Sequence, residues 1–224
     1  MIINKTVHYT PYFPYKMVQN RQLYTLKFIY LYILTITLFC YHKNTNMETR
    51  VYIMKNNKTR DLVTTALMAA IIFVAIHLIR IPNPATGGYS HMGDCMIFMA
   101  VVLLGRKNGS TAAAIGGGLS DLLAGAPIWV LPTVVIKYIM AFIMGTIIKG
   151  NPESKKLQLF GVIIGGIFQI IGYTAAKIVL VGKEPALLSI PNVTIQTVVG
   201  IVFFLLLSGV FTGTLRKYIK REGA

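Results

Sequence analysis

The chain has 224 residues, 54% of them apolar and only 13% charged, with a mean hydropathy of +0.63. That composition excludes an ordinary soluble domain and puts the chain in a bilayer. The formal charge of +15 is broken into short clusters between apolar runs, so no soluble basic face is long enough to hold a nucleic acid, and none is expected as a partner.

Residues 1–53 differ in composition from the rest. Eight of the twelve tyrosines lie here among Asn, Lys, Thr and Ile. The stretch LYTLKFIYLYILTITLFCY, 23–41, is long enough for a membrane helix but has no small-residue cleavage site. It reads as an extra transmembrane helix, an uncleaved anchor, or translated upstream sequence before a start at Met47 or Met54. The last is favoured, because MKNNKTRDLVTTALM from Met54 reads as a natural lead into a helix. The division expected is therefore a doubtful extension, 1–53, and a membrane domain, 54–224.

From Leu62 onward six apolar segments follow, at 62–79, 92–105, 109–126, 132–148, 158–181 and 191–214, each bounded by Gly, Pro or charge. The fold class expected is an all-α integral membrane protein of six transmembrane helices. The second segment is short for a roughly 30 Å hydrocarbon core, at about 21 Å. One set of connections carries Lys55, Lys58, Arg60, Arg106, Lys107, Lys149, Lys155, Lys156, Arg216, Lys217, Lys220 and Arg221, and the other only Arg80 and Lys183. The positive-inside rule then sets both termini in the cytoplasm of a multi-pass protein of the bacterial plasma membrane.

Strongly polar residues gather toward the outer half of these segments. Tyr89, His91 and Asp94 precede or open the second, and Asp121 lies near the end of the third. Lys137 comes about one turn into the fourth. Gln169, Tyr173 and Lys177 repeat at i, i+4 and i+8 in the fifth, and Asn192 and Gln196 at i, i+4 in the sixth. Ionisable groups inside a span are expected to pair, to face a cavity or to bind something. One reading has Asp94 and Asp121 neutralise Lys137 and Lys177 to hold the bundle together. The other has the set line a pocket open to the outside, with Trp129, in the short outer loop APIWVLP, stacking on a planar ligand. The glycines of GGYSHMGD let the outer loop bend over that site.

No Walker A, HExxH, GxSxG or dinucleotide fingerprint is present, and the two cysteines form no metal spacing. No enzyme activity, metal or cofactor is expected. TTALMAAIIFVAIHL, GGYSHMGD, GGGLSDLLAG and PTVVIKYIMAFIMG together resemble the substrate-binding S components of energy-coupling factor (ECF) vitamin transporters, over about residues 54–220. The resemblance implies a vitamin or vitamin precursor bound from outside, and a transmembrane coupling subunit driven by two ABC ATPases. It also implies docking through a small-residue AxxxA motif on the first helix, matched by Ala66 and Ala70 with Ala69 beside them. The branch most similar handles pyridoxine-, hydroxymethylpyrimidine- and riboflavin-like compounds. Ser90, His91 and Met92 depart from its pattern, which leaves the ligand open among pyridoxine or hydroxymethylpyrimidine first and riboflavin or a queuosine precursor next. An ion-coupled carrier and a structural or signalling membrane protein are the competing classes.

Overall fold

In the third of the described helices, Thr133, Ile136, Lys137, Met140, Ala141, Met144 and Gly145 are buried, a stripe at i, i+3, i+4, i+7 and onward that fixes one face against neighbours. The same logic builds the whole bundle, seen in a computed structural model that describes residues 57–78, 80–83 and 88–222. The helices are α1 (Asn57–Leu78), α2 (Gly93–Leu123), α3 (Pro127–Ile147), α4 (Lys155–Val181) and α5 (Lys183–Glu222). Strands β1 (Arg80–Asn83) and β2 (Gly88–His91) form an antiparallel hairpin between α1 and α2, with Arg80 opposite His91 and Pro82 opposite Tyr89. The described helices belong to a compact unit of Met54–Ala224. The extension expected at 1–53 lies outside the described residues.

The surface is inverted relative to a soluble protein. Leu62, Leu131, Val179 and Leu206 are 71%, 72%, 83% and 66% exposed. Helices α1, α3, α4 and α5 each carry a segment long and apolar enough to cross a bilayer. The interior combines large apolar side chains such as Phe98, Ile72, Met140 and Phe204 with small residues and polar groups, the latter two expected where helices adhere in lipid through close packing and hydrogen bonds.

Segments 92–105 and 109–126, expected as separate spans, are the two helical legs of α2, which meet at a single non-helical residue. Gly105 has φ 78° and ψ 178°, a backbone conformation that only glycine adopts readily. The chain folds back there: a Cβ on Gly109 would stand 2.7 Å from the Cα of Val101. In the first leg every residue from Gly93 to Val101 is buried. Helix α2 packs on α1, α3 and α5, with α3 on α4 and α4 on α5.

Two boundaries differ from expectation, and both bear on the site. The fourth apolar segment begins at Pro127 rather than Pro132, because proline is well suited to a first helical turn, and Pro132 removes only one intrahelical hydrogen bond. Trp129 is therefore in the first turn of α3 and not in a loop. Lys137 lies nearly three turns into that helix rather than one, about 15 Å along its axis. Similarly, α5 begins at Lys183 and carries Pro191 inside it.

Candidate functional site, a buried polar centre

Each of α2, α3, α4 and α5 brings at least one polar side chain to a common point. Lys137 of α3 and Asp94 of α2 are both fully buried and form an ion pair with Nζ 2.5 Å from Oδ1. Gln169 of α4, also fully buried, bridges the pair: its Oε1 accepts from Lys137 Nζ at 2.6 Å and its Nε2 donates to Asp94 Oδ2 at 2.7 Å. The same Nε2 donates to Thr197 Oγ1 of α5 at 2.9 Å, while the Thr197 hydroxyl gives its own proton to the Val193 carbonyl at 2.8 Å. Gln196 adds a longer contact, Nε2 to Asp94 Oδ2 at 3.3 Å. An ion pair in so dry a place holds only when its remaining donors and acceptors are satisfied, and Gln169 does this for both partners.

Backbone closeness makes the convergence possible. A Cβ on Gly200 of α5 would stand 2.7 Å from Asp94 Cβ, so any side chain there would push α5 off the carboxylate. Glycine at this position is a requirement of packing, not of turn geometry.

The centre extends in two directions. Toward the hairpin, His91 is buried at the end of β2, and its Nδ1 accepts from the Gly93 N–H at 3.2 Å. In a neutral ring that contact puts the proton on Nε2, which lies 3.4 Å from the Gln196 amide nitrogen; both are then donors, so the two side chains are neighbours there without a hydrogen bond between them. Toward the α2–α3 turn, Lys137 Nζ lies 5.4 Å from the centre of the Tyr173 ring, a cation–π contact. The Tyr173 hydroxyl donates to Thr133 Oγ1 at 3.1 Å, and Thr133 donates to Asp121 Oδ2 at 2.5 Å. A continuous path of polar contacts thus runs from Gln196 to Asp121, with His91 beside its hairpin end.

Of the residues singled out from sequence, Asp94, Asp121, Lys137, Gln169, Tyr173 and Gln196 share this path, and His91 adjoins it. Asn192 lies one helical turn before Gln196 on α5 and is half-buried, while Tyr89 lies two residues before His91 in β2. Trp129, half-buried, and Lys177, half-buried one turn beyond Tyr173, stand apart from the chain of contacts just described. Among the described residues Lys177 makes no ion pair, so the expected division of two carboxylates between two lysines gives way to one pair, Asp94 with Lys137. Thr133 and Thr197 belong to the path and were not anticipated. The available signal was position: Thr133 is one turn before Lys137 on the same face, and Thr197 adjoins Gln196.

The small residues of α1 divide between two faces. Ala66 and Ala70 are exposed, whereas Ala69 is 2% exposed and packs on α2, where a Cβ on Gly116 would stand 2.7 Å from the Ala69 carbonyl oxygen. Ala69 is thus not presented together with the other two.

Residues 56–213, well over half of the chain, match the family described as ECF-type riboflavin transporter, S component. The chain belongs to that family. A protein of Pyrococcus woesei, known as an uncharacterized protein in the gap 3′ region, is 37% identical over 131 residues, 58% of this chain and 87% of that one. The fold is similar to that of a solved S component of a bacterial ECF transporter, with a TM-score of 0.57 and 18% identity, over 73% of this chain and 99% of the other. The family is one of transporter components and not of enzymes, and this S component is a multi-pass protein of the cell membrane.

Proposed function

We propose that this S component binds a small vitamin or vitamin precursor from outside the cell, and that a transmembrane coupling subunit with two ABC ATPases drives its uptake. The ligand favoured is pyridoxine or hydroxymethylpyrimidine. The observation that carries the reading is the buried path from Gln196 through Asp94, Lys137 and Gln169 to Asp121. Charged groups are costly inside a membrane and weak as stability devices, and a set held by four helices around one point is organised for recognition. A few fixed polar groups on a rigid scaffold suit a single ring carrying hydroxymethyl groups. Riboflavin is the competing ligand, supported by the family's name, and a queuosine precursor follows it.

In this reading the chain crosses the membrane six times, each leg of α2 making one crossing, with both termini in the cytoplasm. The distribution of Lys and Arg supports that orientation: Arg106 and Lys107 at the Gly105 bend share a side with Lys149, Lys155 and Lys156. The hairpin is then on the outer side, beside the polar centre. Asn192, Trp129 and Tyr89 are ligand contacts from the outer ends of their elements. Ala66 and Ala70, exposed on α1, dock the coupling subunit through close helix contact.

Mass spectrometry of small molecules released from the purified protein tests the ligand. A vitamin-like compound in about equal ratio to protein is expected, and a protein that stays empty after incubation with pyridoxine, hydroxymethylpyrimidine and riboflavin refutes the reading. Ala66→Leu and Ala70→Leu are expected to keep binding while abolishing ATP-driven uptake in cells. Normal uptake in both would remove the docking role.

A further inference from the structure

One titratable side chain on the helix that carries Gln169 and Tyr173 is left unused by the ion pair and its bridges. Lys177 follows Gln169 and Tyr173 at successive i+4 steps along α4. Around it Ile171, Ile178 and Val179 are 62%, 44% and 83% exposed and form the lipid face of this helix, whereas Tyr173, Ala176, Lys177 and Leu180 are half-buried on the inward side. A lysine that snorkels from the lipid face would share the side of Ile171, Ile178 and Val179, whereas Lys177 shares that of Gln169 and Tyr173. It lies one turn beyond the tyrosine whose ring meets Lys137.

The acids of the neighbouring elements are already engaged or exposed. Asp94 holds Lys137 and bridges to Gln169, and Asp121 accepts from Thr133. Glu184 is exposed in the first turn of α5. Among the described residues Lys177 makes no ion pair with any of them. An ammonium on the inward side of the helix with no carboxylate paired to it is open to an anionic oxygen on an incoming ligand, which would hold it by a charge-assisted hydrogen bond.

We propose that Lys177, set on the inward face of α4 one turn beyond Tyr173, recognises an anionic oxygen on the ligand. The substrate class is then a ring bearing an ionised hydroxyl or carboxylate. This rests on the vitamin-binding reading and sharpens it. Pyridoxine, whose ring hydroxyl ionises as the ring nitrogen takes the proton, belongs to the class. Hydroxymethylpyrimidine, with no acidic oxygen, does not. Lys177 is a specificity residue, while Lys137 serves to hold the centre together.

The test is equilibrium binding to the full chain in detergent of four probes: pyridoxine, its 3-O-methyl ether, hydroxymethylpyrimidine and riboflavin. Wild type, Lys177→Gln and Lys177→Arg are compared, with folding checked by thermal unfolding. The expected result is tight pyridoxine binding by wild type, a loss of about tenfold or more in Lys177→Gln, retention in Lys177→Arg, and weak ether binding that neither variant changes. Equal pyridoxine binding by wild type and a folded Lys177→Gln overturns the inference, as does equal loss of pyridoxine and ether in that variant. Wild type that prefers hydroxymethylpyrimidine or riboflavin to pyridoxine overturns the anionic class but leaves vitamin binding intact. Wild type that binds none of the four overturns vitamin binding itself.

Discussion

The polar centre and the seam between α1 and α2 are equally buried and made of opposite materials. At the seam, the Ala69 carbonyl and the Ile72 side chain lie against Gly116, and adhesion comes from the approach of backbones. At the centre, Lys137, Asp94 and Gln169 are each fully buried and held by mutual hydrogen bonds. The seam tolerates changes of chemistry but not of volume. The centre tolerates little change of chemistry, since each group removed leaves another without a partner in a medium that offers none. A bundle that needed only cohesion could be built wholly from seams, and in the function proposed above the charged centre is the part that answers to a ligand.

The contrast is broken most severely at Lys137. Lys137→Ala leaves Asp94 buried without its cation and is expected to lower stability by about 3–5 kcal/mol, read by thermal unfolding in detergent. The double variant Lys137→Met with Asp94→Leu removes both charges and is expected to recover most of that stability while retaining no ligand. Ligand retention by the double variant would reduce the centre to a structural device. At the seam, Gly116→Val adds volume against a backbone carbonyl and is expected to cost about 1–3 kcal/mol, with unchanged ligand affinity in the protein that folds. A large affinity change there would dissolve the distinction between the two regions. The smallest effect is expected for Thr133→Val, which removes one link between Asp121 and Tyr173. It should weaken binding by about 1 kcal/mol, roughly fivefold, with little change in unfolding temperature.

Much of this was legible in the residues. Apolar runs and the placement of Lys and Arg marked a polytopic membrane protein, and i, i+4 repeats marked Gln169, Tyr173 and Gln196 as facing inward. Lys137 was legible as a buried cation but not at its depth, because Pro132 reads as a helix boundary when five residues of α3 precede it. The partner of Lys137 was not fixed by sequence, since Asp94 and Asp121 are equivalent in type and only the fold brings Asp94 to it. Thr133 and Thr197 stayed hidden for another reason. Threonines in membrane helices commonly bond their own backbone, as Thr64, Thr65, Thr146 and Thr174 do here, so their presence carries little signal. The β1–β2 hairpin is only four residues per strand and contains Pro82, too short and too broken a pattern to show alternation.

The bend at Gly105 also bears on how the protein is made. The first leg of α2 is roughly a dozen residues long, about 18 Å of helix, well short of a hydrocarbon core of about 30 Å. Such a segment is a poor substrate for the insertion machinery by itself, and Arg106 and Lys107 follow directly behind it. Because Gly105 turns the chain back within a single residue, the second leg packs directly on the first, and the two form one helical hairpin. Asp94 opens the first leg and Asp121 lies near the close of the second, so both carboxylates belong to the open end of one hairpin, while the cation comes from the next helix. The packing of α3 on α2 completes with Lys137 the pair that α2 begins with Asp94.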